Sequence, residues 1–94
     1  MIRTFADKDT EQLFQGLKIK SLPADILKRA YIKLLMLNAA ENIIDLRVPP
    51  SNHLELLSGD RAGQHSIRIN DKYRLCFTWK GCDAYNVEIV DYHK

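Results

Sequence analysis

Gln64–Trp79 reads QHSIRINDKYRLCFTW, and the parity of this stretch decides the fold. Ile67 and Ile69 alternate with Ser66 and Arg68. After Asn70-Asp71-Lys72, Tyr73, Leu75, Phe77 and Trp79 alternate with Arg74, Cys76 and Thr78. A period of two, rich in aromatic and β-branched residues, marks two half-buried antiparallel strands. For both apolar rows to share a face, Ile69 must pair with Tyr73 and Ile67 with Leu75. The connection is then odd, Asn70 to Lys72, because a two-residue turn would set Ile67 against Arg74. The opposite face carries Arg68 directly across from Arg74, and facing like charges cost roughly 0.2–1 kcal/mol. Such a pair calls for an anion. Carboxylates elsewhere in the fold would neutralise it, and so would a bound phosphate; the residues alone leave both readings open.

Composition sets the class. The chain has 94 residues, one domain spanning 1–94, of a size that buries about 60% of its chain surface. An apolar fraction of 46% and a charged fraction of 28% fit an ordinary globule. The net charge of +2 names no partner, but its distribution says more. From Arg61 to Lys80 the basic residues Arg61, Arg68, Lys72, Arg74 and Lys80 stand against Asp71 alone, a local bias of the kind that meets nucleic acid. No apolar run reaches membrane-spanning length, and Asp7 and Lys8 interrupt any secretory leader at once. The expectation is therefore a cytoplasmic protein with no membrane partner. Cys76 and Cys82 make no disulfide framework and are expected as reduced thiols.

Taken in order, Met1–Phe5 reads as an edge strand. Asp7 is placed to cap a short helix with Asp9 and Glu11 in its first turns, Leu13, Phe14 and Leu17 on its buried side and Gly16 at its stop. Ser21-Leu22-Pro23 announces a second helix from about Pro23 to Ala40, a capping hydroxyl followed by proline. Its apolar stripe is Leu27, Ala30, Tyr31, Leu34 and Leu37 or Asn38, and Lys28, Arg29 and Lys33 lie off it. That basic face is either solvated or set against an anionic surface. Glu41 to Asn52 reads as a loop with Ile43, Ile44, Leu46 and Val48 tucked beneath it, and His53 to Leu57 as a short strand. After the central hairpin a last strand, Ala84 to about Asp91, carries Tyr85, Val87 and Ile89 on the core face. A connection of three or five residues before it sets Arg74 opposite Glu88 or Val90, respectively. The class is α+β: two N-terminal helices packed on an antiparallel β-sheet.

The final residues Val90-Asp91-Tyr92-His93-Lys94 put a carboxylate, a phenol and an imidazole at the end of a core strand. A bend after Asp91 would let all three converge near Arg74. These types suit phosphodiester cleavage: an imidazole moves protons near neutral pH, a guanidinium stabilises a phosphorane, and a carboxylate orients the imidazole or takes the proton itself. The bland alternative is an exposed, idle terminus. His53, His65, His93, Cys76 and Cys82 lack metal-ligand spacing, so no metal site is expected. No glycine-rich phosphate loop or nucleophilic serine motif exists among these residues. His65 reads as a half-exposed strand histidine or an RNA contact.

The blocks Leu46-Arg47-Val48-Pro49-Pro50, LELLSGDRAGQHSIRIND, RLCFTW and DAYNVEIVDYH, in this order, are similar to the HigB group of toxins. These are RelE-superfamily members of type II toxin–antitoxin modules, also called plasmid maintenance killer proteins. The resemblance covers nearly the whole chain. It implies a RelE-like fold and a ribosome-dependent mRNA endoribonuclease, or mRNA interferase, that cuts in the ribosomal A site by attack of a 2′-hydroxyl on the adjacent phosphate, with no cofactor and no metal. It implies as partners the ribosome, mRNA and a HigA-like helix-turn-helix antitoxin, with operator DNA reached only through that antitoxin. Arg74 matches the family's phosphate-stabilising arginine; Asp91, Tyr92 and His93 match its terminal acid, aromatic and imidazole. Proton transfer falls to His93 or Asp91, stacking or orientation of a nucleotide to Tyr92, and the phosphorane to Arg74. Arg68, Lys72, His65, Lys28, Arg29 and Lys33 become candidate contacts to RNA and ribosome.

Two positions depart from the pattern. The best-known members carry a histidine where Glu55 stands, and many carry a lysine where Ser58 stands. The second reading is therefore a catalytically weak or inactive homologue that binds ribosome or antitoxin without cutting. A general RNA-binding domain is a third class, for which the sequence shows no exposed aromatic platform on a strand centre.

Overall fold

Two consecutive hairpins that share one strand build the sheet. The structure is a computed structural model that describes residues 1–91. Its elements are α1 (Lys8–Phe14), α2 (Ala24–Ala39), β1 (Glu55–Leu56), β2 (His65–Arg68), β3 (Tyr73–Lys80) and β4 (Asp83–Asp91), with short 3₁₀ turns at Ile43–Arg47, Pro50–Asn52 and Gly59–Arg61. The strands form one antiparallel sheet in the order β1-β2-β3-β4. Both helices pack on one side of it, so the architecture is the expected α+β.

The central hairpin follows its parity. Ile67 pairs with Leu75 and Arg68 with Arg74, and the Ile69 amide donates to the Tyr73 carbonyl at 2.9 Å. Asn70 closes the odd loop: its side-chain oxygen accepts from the backbone N–H of Lys72 at 2.9 Å and of Tyr73 at 2.7 Å, the local turn that asparagine makes well. Ile67, Leu75 and Phe77 are fully buried against Ala30, Leu34 and Leu37 of α2.

The β3–β4 hairpin reaches its register by an unexpected route. The chain turns on two residues, with Lys80 paired to Asp83 and Trp79 to Ala84. The ladder then shifts between Cys76 and Thr78. Asn86, at φ 53°, is the extra residue, and two residues of β4 oppose Phe77, a β-bulge. Two turn residues plus one bulge residue give an odd connection, so Arg74 faces Val90, the register expected of the longer turn, although the turn itself is shorter than either expectation. The bulge also changes faces. Val87 is buried as expected, but Ala84 is buried where Tyr85 was expected. Tyr85 stands opposite Thr78, on the side away from the helices.

Other expectations are adjusted. Met1–Phe5 lies along β4 through two parallel bridges, Ile2 to Ala84 and Phe5 to Val87, rather than as a continuous strand. Pro23, not Ser21, caps α2, with no side-chain cap. The buried stripe of α2 is Ile26, Ala30, Leu34 and Leu37, and Leu27 and Tyr31 flank it half-buried. Leu17, Ile44 and Val48 are exposed rather than tucked in; Val48 is held extended ahead of Pro49. The strand expected over His53–Leu57 shortens to Glu55–Leu56 because His53 takes a left-handed conformation.

The 41–52 segment is organised by Asn52, which is fully buried. Its amide nitrogen donates to the Leu46 carbonyl at 3.1 Å and the Val48 carbonyl at 3.4 Å, and its oxygen accepts from the Lys33 ammonium. A buried amide with its capacity used in this way ties the loop to α2.

Candidate functional site

The side of the sheet away from the helices is polar. In-register pairing places Glu55, Ser66, Cys76 and Glu88 in one row across all four strands. Arg74 and Thr78 flank Cys76 along β3, on the same side. Ser66 and Cys76 are buried in the middle of the row, and an arginine lies over each half.

Arg74 covers the β1–β2 half. Its Nε donates to Ser66 Oγ at 2.8 Å, and its Nη2 donates to the His53 carbonyl at 2.6 Å and approaches Glu55 Oε1 at 3.5 Å. The side chain is 13% exposed, which fixes the direction of a charge at the surface. Arg61 covers the β4 half. Its Nη1 donates to Glu88 Oε1 and to Gln64 Oε1, each at 3.0 Å. A polar recess of about 500 Å³ opens beside it, lined by Asp60, Arg61, Ala62, Gln64 and Thr78. Burial pushes the Cys76 thiol upward, and Glu88 and Glu55 add to that while Arg61 and Arg74 oppose it. The thiol is thus held in its neutral form between two ion pairs, an inert filler rather than a nucleophile.

The facing arginines are relieved by separate carboxylates on either side. Arg68 donates to the Asn70 carbonyl at 3.2 Å and to Asp71, while Arg74 leans toward Glu55. The neutralising reading therefore describes the protein by itself. Glu55 is 55% exposed, so its hold on Arg74 is that of a solvated partner that another anion can replace.

Asp91 pairs with Tyr73, and alternation therefore turns it to the helix side of the sheet rather than toward Arg74. Its carboxylate lies 3.8 Å from the Lys72 ammonium, and Lys72 also sits 5.5 Å from the centre of the Tyr73 ring. Tyr92 and His93 lie outside the described residues. His65 belongs to the helix side: it pairs with Phe77 and stacks on its ring at 6.3 Å. Its Nδ1 is buried without a partner among the described residues, and burial holds the imidazole below the ordinary histidine range. Lys28 and Arg29 are exposed on α2, across the sheet from Arg74. Lys33 is drawn down onto Asn52, and burial, then the nearby Arg29, lowers its pKa. The site residues are thus divided between two faces. Arg61 and Tyr85 are residues of the polar face that sequence reasoning passed over as site residues, while Glu88, weighed as a partner for Arg74, pairs with Arg61 instead. Arg61 was visible only as part of a basic run, and Tyr85 was assigned to the core because the bulge was not foreseen.

A family model, the RelE-like toxin HigB of type II toxin–antitoxin systems, matches residues 3–93. The chain belongs to this family. Among HigB proteins it is 41% identical to Toxin HigB-1 of Vibrio cholerae over 95 residues, covering 100% of this chain and 99% of that protein. It is 31% identical to the Endoribonuclease HigB of Proteus vulgaris over 93 residues, covering 99% of this chain and all of that one. The HigB fold seen here also superposes on a chain of the YoeB–YefM complex from Staphylococcus aureus, with a TM-score of 0.61 and 21% identity, covering 100% of this chain and 97% of that one. That likeness concerns the fold. As a HigB-family member the chain is a toxin of a type II toxin–antitoxin system.

Proposed function

We propose that this toxin is a ribosome-dependent mRNA endoribonuclease that cleaves in the A site. The observation that carries the reading is Arg74: a largely covered side chain whose guanidinium is oriented by Ser66 and the His53 carbonyl, and partnered by a carboxylate exposed enough to give way to phosphate. The Proteus vulgaris relative, named an endoribonuclease, supports the same chemistry.

In this mechanism a base, His93 or Asp91, takes the proton of a ribose 2′-hydroxyl; Asp91 does so only where the end of β4 turns from Lys72 toward Arg74 when the toxin is docked. The 2′-oxygen attacks the adjacent phosphorus, and Arg74 stabilises the charge that builds on the non-bridging oxygens. The P–O5′ bond breaks, the leaving 5′-oxygen receives a proton from the other member of the pair, and the products are a 2′,3′-cyclic phosphate and a 5′-hydroxyl. Tyr92 stacks on or orients a nucleotide. General acid–base help supplies about 10²–10⁴-fold, so placement on the ribosome must supply much of the remainder. Arg68 and Lys72 lie next to Arg74 in the hairpin and serve as docking charges; Lys28, Arg29, Lys33 and His65 reach any RNA contact from the helix side. A HigA-like helix-turn-helix antitoxin is the partner that silences the toxin and links it to operator DNA.

A second reading, a docking protein with little cleavage, is favoured by one observation: Glu55 sets a negative charge 3.5 Å from Arg74 where the best-known relatives carry histidine. Mapping mRNA 5′ ends in a reconstituted translation reaction, wild type beside His93→Ala, tests both. Ribosome-dependent cuts that vanish in the variant support the nuclease and place His93 in it. Ribosome binding without cuts supports the docking protein. Ser58→Lys, which adds a phosphate contact on the same rim, should raise cleavage a few-fold; no rise would count against a rate limited by missing basic groups.

A further inference from the structure

The β4 bulge delivers an aromatic ring to the arginine face. Tyr85 stands opposite Thr78 and is half-buried, and the Lys80 ammonium lies 6.0 Å from its ring centre. Thr78, the pairing partner of Tyr85, also lines the polar recess of about 500 Å³ formed with Asp60, Arg61, Ala62 and Gln64, within the usual range of about 300–1,000 Å³ for small-ligand sites. A partly exposed aromatic face, a guanidinium for phosphate, and an amide and a hydroxyl for base edges are what single-stranded RNA requires of a protein surface. Four residues of strand, about 13 Å, separate Thr78 from Arg74. The same nucleotide cannot use both places, but a neighbour on the same strand can.

We propose that Tyr85, with Arg61, Gln64 and Thr78, forms a second nucleotide subsite, in which a base flanking the phosphate held at Arg74 stacks on the Tyr85 ring while its own phosphate meets Arg61. The inference rests on the nuclease reading for the role of the strand, but not for its binding. Gln64 gives its oxygen to Arg61, which leaves its amide N–H groups as the donors available to a base, and the Thr78 hydroxyl both donates and accepts. Arg61 lines the recess while held by Glu88 and Gln64, and the Glu88 pair is partly exposed, so a phosphate competes with a solvated carboxylate for it.

The test is a nuclear magnetic resonance titration of the pure protein with non-cleavable 2′-O-methyl RNA trinucleotides, alongside cleavage kinetics in the translation reaction. The Tyr85 ring protons should move upfield with the amides of Gln64 and Thr78, in step with Arg74. Tyr85→Leu should weaken binding about tenfold and raise KM more than it lowers kcat, and Tyr85→Phe, which keeps the ring, should restore most of the affinity. Shifts at Arg74 with none at Tyr85 or Thr78, or a Tyr85→Leu protein that is folded and binds as wild type does, would overturn the subsite. If Tyr85→Leu fails to fold, the wild-type titration alone decides. Recess shifts in a protein that cuts nothing on ribosomes would sink the nuclease reading and leave the subsite standing.

Discussion

The two faces of the sheet are made by alternate residues of the same strands, yet they are built on opposite principles. On the helix side Ile67, Leu75, Phe77 and Val87 are fully buried and interchangeable in kind: any apolar side chain of suitable volume would serve. On the other side Arg74, Arg61, Glu55 and Glu88 form pairs whose members are held by particular atoms at 3.0–3.5 Å. The first face supplies stability and tolerates repacking. The second contributes little stability, since partly exposed pairs are worth about 0–1 kcal/mol, and holds charges where an anion can replace a carboxylate. Separating stability from charge by parity lets one strand serve both without compromise.

Substitutions that unbalance this division should differ in kind as well as size. Phe77→Ala opens a cavity under α2 and should cost about 3–5 kcal/mol in urea unfolding, with cleavage lost only because the folded fraction falls. Arg74→Ala should do the reverse. Ribosomal cleavage should drop about 10²–10³-fold, while the urea midpoint moves far less than for Phe77→Ala; a comparable loss of stability would show that the faces are not separable. Glu55→Gln removes the competing carboxylate and should raise cleavage by at most about fivefold, since an exposed pair is worth no more than about 1 kcal/mol, with stability unchanged in the same unfolding assay.

The smallest effect belongs to His65, a titratable group on the apolar face. Its folded pKa is held down by burial, so the unfolded chain binds the proton more readily. The stabilising contribution of neutral His65 is complete above the ordinary value of about 6.5 and declines as pH falls below it. Urea midpoints measured through this window should therefore fall with acidification, and His65→Phe should flatten that part of the curve. An unchanged slope in the variant would place the acid sensitivity elsewhere.

Much of this was legible in advance because hairpin parity is local. Ile67, Leu75, Arg68 and Arg74 could be paired from the chain alone, since burying one face permits only one register of the two strands. Arg74 stood out for the same reason: its partner across the strand was another arginine. The terminal acid, aromatic and imidazole were legible by type. Of these three, Asp91 lies within the described residues, and the register sets it beside Lys72. Asn52 and Lys33 were unreadable as a pair because nothing within nineteen residues of sequence separation announces that a loop amide will be buried beneath a helix.

By itself, then, the chain determined the α+β class, the central hairpin and its arginine face, because alternation and helical periodicity are written in neighbouring residues. Tertiary structure alone decided that Tyr85 faces Thr78 and that Arg61 and Glu88 meet across the outer row. The physical reason is that one extra residue, Asn86, relieves a register mismatch between a two-residue turn and a ladder set further along. Such a mismatch leaves no mark in the alternation of either strand and exists only once the two are paired.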